Sequence, residues 1–186
     1  MPIENLQSFR FEAGHRFLID ANVWLFAFGP FPKPPRSGIY DDALRDIRIK
    51  KSLIHLNAFI LSEFMNAYAR IEYRNWIKKN YRDVPEEKRP IFKKFRDHED
   101  FKPIADEIRI AVKGILQTAI EYGNPEFSQG KANEYLDEYG KVCADFNDQI
   151  LADVCETGDY ILLTDDGDFK NFNDITVLTA NRKAFK

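Results

Sequence analysis

Cysteine and histidine are scarce: the chain has two of the first and three of the second among 186 residues. Two thiols cannot form the framework of a disulfide-stapled scaffold. Cys143 and Cys155 both sit among apolar neighbours and read as buried free thiols, although they suffice for one bridge. His15, His55 and His98 lie away from every acidic motif, so no histidine acid or base is expected. No apolar run approaches a membrane span, and the opening MPIENLQSFRFEAGHR lacks the continuous apolar stretch of a signal peptide. A cytoplasmic protein without a membrane partner is the expectation. There is no internal repeat and no low-complexity tract. Neither sign of charge dominates, with 27 basic residues against 30 acidic ones and a net charge of −3, which excludes a purely electrostatic polyanion binder.

Apolar residues make up 44% of the chain, and the aromatics include 16 Phe and 8 Tyr. That is enough to bury a real core in one compact domain spanning residues 1–186. The charges are distributed unevenly. The net charge is +1 over Met1–Ala69, +6 over Arg70–Arg96 and −10 over Asp97–Lys186. Carboxylates crowded into a folded site repel one another unless cations neutralise them, and a basic segment attracts a phosphate backbone. Two ordinary solvated faces would have the same composition.

Hydrophobic periodicity divides the chain into alternating strands and helices. Arg16–Asp20 and Tyr160–Thr164 read as buried strands, Ser52–Leu56 and Ile175–Leu178 as weaker ones. Helices are predicted over Ala21–Phe28, Asp41–Lys51, Ala58–Lys79 (with Asn57 as its cap), Asp106–Tyr122, Lys131–Tyr139 and Asn147–Thr157. Four prolines between Pro30 and Pro35 must break the first helix. Tyr81–Lys94 reads as a charged loop with a short helix. Strands separated by helices imply crossovers and a mostly parallel sheet, whose ligands gather at the carboxyl ends of the strands.

Four acids stand where the local pattern asks for something else. Asp20 ends an apolar strand, where an Asp often caps the following helix. Glu63 lies on or beside the apolar stripe of the long helix, as a boundary residue, a partner of a cation such as Arg70, or a metal ligand. Asp148 heads a core-facing stripe of Leu151, Ala152 and Cys155, although a first-turn acid also suits the helix dipole, with Asp145 as cap. Asp166 follows the Tyr160–Thr164 strand together with Asp165 and Asp168, a group that a solvated turn would also accommodate. A parallel sheet could bring all four to one edge, and hard divalent cations such as Mg²⁺ or Mn²⁺ favour oxygen ligands of this kind.

The run Phe17-Leu18-Ile19-Asp20-Ala21-Asn22-Val23-Trp24-Leu25 resembles the opening of PIN-domain proteins. Ile60-Leu61-Ser62-Glu63-Phe64 resembles their acidic helix, Asp148-Gln149-Ile150-Leu151-Ala152 their third acidic motif, and Ile161–Phe169 their closing strand and acidic turn. The resemblance implies a three-layer α/β/α fold with a central, mostly parallel sheet, and a metal-dependent ribonuclease. It further implies Asp20, Glu63, Asp148 and Asp166 as catalytic ligands of Mg²⁺ or Mn²⁺, with Asn22, Thr164, Asp165 and Asp168 supporting them. Many members are toxins of toxin–antitoxin pairs, so an antitoxin protein and a homodimer are expected candidate partners besides RNA. The chain departs from a compact member in its long proline-rich loop and in an insertion at about residues 78–106. That insertion carries Lys78, Lys79, Arg82, Lys88, Arg89, Lys93, Lys94 and Arg96, expected to guide RNA, with Tyr81 or Phe92 stacking on a base. A haloacid-dehalogenase-like phosphatase would need a second Asp where Asn22 stands. A flap-type DNA nuclease would need more acids and a longer chain. A non-catalytic RNA- or protein-binding module on the same fold is the rival from another class.

Overall fold

The computed structural model describes residues 3–139 and 145–185; Cys143 lies outside them. In chain order the elements are β1 (Ile3–Asn5), β2 (Arg16–Ile19), α1 (Ala21–Phe28), α2 (Ser37–Ile49), β3 (Leu53–Leu56), α3 (Ala58–Asn80), α4 (Phe92–Arg96), α5 (Phe101–Thr118), β4 (Glu121–Tyr122), α6 (Gln129–Glu138), α7 (Phe146–Gly158), β5 (Ile161–Leu163) and β6 (Thr176–Thr179). The six strands form one sheet in the order β1-β6-β5-β2-β3-β4, and every pairing is parallel.

The strand order places the helices. The crossovers from β2 to β3 and from β3 to β4 step one way along the sheet, and the crossover from β4 to β5 returns past both. Right-handed connections therefore put α1, α2, α3 and α5 on one face and α6 and α7 on the other. The contacts agree: α1 packs on α2, α3 and α5, while α6 packs on α7 and α7 on β5. The result is the three-layer α/β/α architecture. Its central strands are buried on both faces, which is why Phe17, Leu18, Ile19, Leu162 and Leu163 are all apolar and fully enclosed. The chain reverses its direction of winding between β2 and β5, and this switch point opens a crevice at the strands' carboxyl ends.

The helix expected over Asp106–Tyr122 differs at both ends. It begins at Phe101 and stops at Thr118, and Glu121–Tyr122 form the edge strand β4. The reason lies in the backbone: the Ile120 amide donates to Ile54 O at 3.0 Å and the Gly123 amide to Leu56 O at 3.2 Å. The open edge of β3 thus takes the groups that another helical turn would have used. The helix expected from Asp41 begins earlier, at Ser37, and β1 adds a strand that the sequence pattern did not suggest.

Residues 81–100 are not a plain loop. They hold a 3-10 turn, Glu86–Lys88, and α4. Phe95 is fully enclosed there and forms a satellite core with Trp76 and Ile77, packed by Tyr73, Tyr81, Phe92 and Phe101. The Trp76 indole donates to Asp100 Oδ2 at 2.8 Å. The far end of α3 and this segment together make a helical arm with its own aromatic centre. Tyr81 and Phe92, of which one or the other is expected to stack on a base, are half-buried here, with rings packed against Trp76 at 4.9 Å and Tyr73 at 5.5 Å respectively.

Candidate active site at the carboxyl edge of the sheet

Asp20 and Thr164 follow the neighbouring strands β2 and β5, and the Asp20 amide donates to Leu163 O at 3.0 Å. Asp20 occupies the N-cap position of α1, yet its side chain makes no cap hydrogen bond. The carboxylate turns to its neighbours across the sheet instead. Its Oδ2 accepts from Thr164 Oγ1 at 2.6 Å and from Asn22 Nδ2. The first amides of α1, at Ala21 and Asn22, also bear on the carboxylate, so Asp20 faces the start of the helix while its hydrogen bonds go to Thr164 and Asn22.

Thr164 is the hub of this network. Besides donating to Asp20, its hydroxyl accepts from Asn22 Nδ2 at 3.2 Å and from the Asp166 amide at 2.9 Å. Asn22 Oδ1 accepts from the Asp165 amide at 3.0 Å. Asn22 and Thr164 thus hold Asp20 and the acidic turn together. Asp166 Oδ1 accepts from the Asp168 amide at 2.9 Å, which bends the turn so that Asp168 projects into solvent.

The Asp165 side chain points away from Asp20. It is held by Arg36 at 2.6 Å and by the Tyr40 hydroxyl at 2.7 Å. Tyr40 is fully enclosed and also receives the Ala180 amide at 3.1 Å, while Asn181 Nδ2 donates to Asp165 O at 2.7 Å. Arg36, Tyr40 and Asn181 form a brace for the acidic turn that nothing in the local sequence announced. On its outer side the turn opens into a pocket of about 440 Å³ lined by Asn22, Asp165, Asp166, Asp168, Lys170 and Lys183.

Asp148 sits in the first turn of α7 in a reciprocal capping box. The Asp148 amide donates to Asp145 Oδ1 and the Asp145 amide to Asp148 Oδ2, each at 2.9 Å. The capping role considered for Asp148 is therefore real, and it fixes the carboxylate's direction while using one oxygen. Glu63 is open to solvent on α3 and forms none of the ion pairs among the described residues, so the proposed partnership with Arg70 is absent.

The electrostatics tie these acids together. Burial, opposed by the Thr164 hydroxyl and increased by the charge of Asp166, pushes Asp20 up to about 6. Asp148 is pushed up to about 6 by burial and by the charges of Asp145, Asp166 and Asp20. Glu63 is pushed up to about 7 by surrounding protein atoms and then by Asp20, Asp145, Asp148 and Asp166. Since Glu63 is also accessible, solvent screens much of that repulsion. Asp20, Glu63, Asp148 and Asp166 therefore share one neighbourhood, and Asp145 adds a fifth charge that had been read only as a cap. Among the described residues no group of three or more acidic, histidine or cysteine side chains is placed to hold a metal ion; the acids form a loose group, the acidic basin, within reach of one another's charge.

The basic residues lie elsewhere. Lys78 and Lys79 end α3, Arg82, Lys88 and Arg89 follow, and Lys93, Lys94 and Arg96 lie on α4. Helix α3 runs from the acidic edge towards the opposite end of the sheet, so this cluster occupies the arm, remote from the basin. Cys155 is buried and free, as expected. Among the described residues no helix is long and apolar enough to cross a membrane.

Fold and site together define a parallel α/β/α domain with an acidic basin at its switch point. No protein-family model matches the chain, and no curated protein does. Among solved structures it is similar to PAE2754 from Pyrobaculum aerophilum, at 14% identity over 92% of this chain and 97% of that one, with a TM-score of 0.49. It is also similar to VapBC2 from Rickettsia felis bound to a DNA fragment from their promoter, at 12% identity over 87% of this chain and 96% of that one, with a TM-score of 0.49. Likeness at this level concerns the path of the chain alone.

Proposed function

We propose that the protein is a metal-dependent endoribonuclease of the PIN-domain type, hydrolysing RNA phosphodiester bonds at the basin of Asp20, Glu63, Asp148 and Asp166. The observation that carries this reading is the convergence of these acids on one edge of the sheet, where Asp20 and the Asp166 amide share the Thr164 hydroxyl and the charges of Asp20, Asp148 and Asp166 all bear on Glu63. Burial first and the neighbouring charges second push Asp20, Glu63 and Asp148 above the ordinary carboxylate range, and their donor atoms are all hard oxygens. A site that accumulates unneutralised negative charge suits a divalent cation, and Mg²⁺ or Mn²⁺ favours such ligands. Asp20, Glu63, Asp148 and Asp166 would hold such a cation, which would supply positive charge to a phosphodiester and make water more acidic.

The chain's own residues prepare the place. The Thr164 hydroxyl and Asn22 amide aim one oxygen of Asp20, and the capping box leaves Oδ1 of Asp148 free of it. The Arg36–Tyr40–Asn181 brace holds the turn that bears Asp166. Glu63, the most accessible of the set, stands where it can meet solvent water or substrate. By the same resemblance, the protein is the toxin of a toxin–antitoxin pair, with an antitoxin protein and a second copy of itself as partners. A groove of about 860 Å³ between the end of α1, α3 and α5, flanked by the exposed Phe31 and Ile110, offers an apolar surface for a protein partner.

The test is cleavage of end-labelled single-stranded RNA with Mn²⁺ or Mg²⁺, in EDTA, and by the Asp148→Asn variant. Cleavage that vanishes in EDTA and in the variant is expected. The second reading, a non-catalytic RNA- or protein-binding module, is favoured by the open spacing of the acids and by the structural use of Asp148. Absence of both cleavage and Mn²⁺ binding by calorimetry would remove the first reading and leave the second, which binding of RNA without cleavage would then support.

A further inference from the structure

Helix α3 joins the basin to the arm, and its phase decides what its exposed face presents. Arg70, Arg74 and Lys78 follow Glu63 by 7, 11 and 15 positions in one continuous helix. At about 100° and 1.5 Å per residue they point within roughly 60° of Glu63, about 10, 16 and 22 Å further along the axis. All three are exposed, while Phe64, Tyr68 and Trp76 turn into the protein. The Arg70 guanidinium lies over the Phe92 ring, 4.9 Å from its centroid, which keeps it on this face.

At the far end Lys78, Arg82 and Arg89 line a pocket of about 390 Å³ together with Ile77. Arg89 Nε donates to Val84 O at 2.8 Å, fixing the plane of the guanidinium without using its two Nη groups. Glu72, Asp83, Glu86 and Glu87 lie on the same stretch of chain, yet the ion pairs among the described residues include no cation between residues 70 and 96. A line of cations outside those ion pairs, leading away from a carboxylate basin, complements a polyanion whose one reacting group must enter that basin.

We infer that this face of α3 is a track for the backbone of single-stranded RNA, leading from the basin at Glu63 to a phosphate seat formed by Lys78, Arg82 and Arg89. The inference rests on the reading that the basin acts on RNA. It adds a length requirement: a stacked strand advances about 3.4 Å per nucleotide, so roughly six to seven nucleotides are needed to cover 22 Å.

Binding is measured by fluorescence anisotropy in EDTA with the full-length Asp148→Asn protein, so that cleavage cannot interfere. The probes are a single-stranded RNA of about 20 nucleotides and one of about 4, too short to span the track from basin to seat. The test variant adds Arg74→Gln, Lys78→Gln and Arg82→Gln, leaving Arg70 on its ring. The control adds Arg48→Gln, Lys50→Gln and Lys51→Gln around the end of α2. All six residues are exposed, and thermal melts check that each protein remains folded. The test variant should bind the long RNA at least tenfold more weakly. Its log–log salt slope should be smaller by about 2, the share of three phosphate contacts at ~0.7 each. The control should match the parent, and the short RNA, which cannot cover the whole track, should bind the parent far more weakly than the long RNA does. Equal affinity and slope for the long RNA in test variant and parent would overturn the track, as would failure of the parent to bind at low salt. Cleavage is scored separately with Asp148 restored and Mn²⁺ present. Track-dependent binding without cleavage removes the nuclease reading and keeps the track, whereas cleavage of long RNA at an unchanged rate in the track variant removes the track and keeps the nuclease.

Discussion

Replacing Thr164 by valine tests the hydrogen-bond hub of the basin with little change of shape. Thr164 is fully enclosed, and its hydroxyl serves Asp20, Asn22 and the Asp166 amide. At about pH 7.5 Asp20 is ionised, so the lost bond is charge-assisted and worth about 1.5–3 kcal/mol. The unmet Asn22 and Asp166 donors, partly reached by water, bring the total to about 3 kcal/mol. At about pH 5 Asp20 carries its proton, because its folded value is about 6, and the same bond is worth about 1 kcal/mol. Losing the hydroxyl raises Asp20 further, so the folded variant holds its proton more tightly than the folded parent does. The penalty must therefore grow as pH rises through the window around 6. Unfolding by urea in EDTA at the two pH values measures it, and a melting temperature lower by about 6–12 °C at pH 7.5 is the thermal counterpart. A penalty that is independent of pH, or larger at pH 5, would refute the role given to Asp20.

The parent protein without metal should itself lose stability as pH rises from about 4 to 7. Asp20, Glu63 and Asp148 all bind protons more tightly folded than unfolded; urea midpoints should fall over this range and recover on adding Mn²⁺ at the upper end but not the lower. Asp148→Asn should abolish cleavage while keeping the melting temperature within about 2 °C, since the amide oxygen still accepts from Asp145; Asp148→Ala should lose about 1 kcal/mol with the capping box. Tyr40→Phe removes the bonds to Asp165 and Ala180 from a fully enclosed position and should destabilise by about 2 kcal/mol in urea unfolding. Phe95→Ala, in the satellite core of the arm, should raise amide exchange across residues 81–100 and leave β2 and β5 protected; exchange rising equally in both regions would mean that the arm is not a separate packing unit.

What could be read in advance divides along physical lines. Strands β2 and β5 and helix α1 were legible because burial on both sheet faces demands unbroken apolar runs, here ended by acid or by proline. The long helix α3 was legible from its stripe and its Asn57 cap, whose side chain does accept from Ile60 N at 2.9 Å. The three residues of β1 and two of β4 were not, because so short a strand has no period to detect and is defined by the edge it joins. The brace of Arg36 and Tyr40 on Asp165 spans 129 and 125 positions, and no local pattern encodes such a pairing. The difference between the acids and the cations has the same origin. An acid facing the core violates a pattern, because burying its charge calls for compensation that the local chain does not contain. An exposed arginine violates nothing. Arg74 therefore passes unnoticed in a sequence, and Lys78 is noticed only as one member of a basic segment. They acquire meaning only when a single unbroken helix fixes their phase and rise relative to Glu63. In this protein the acids mark where chemistry would occur, and helix geometry, rather than composition, indicates how a substrate would reach it.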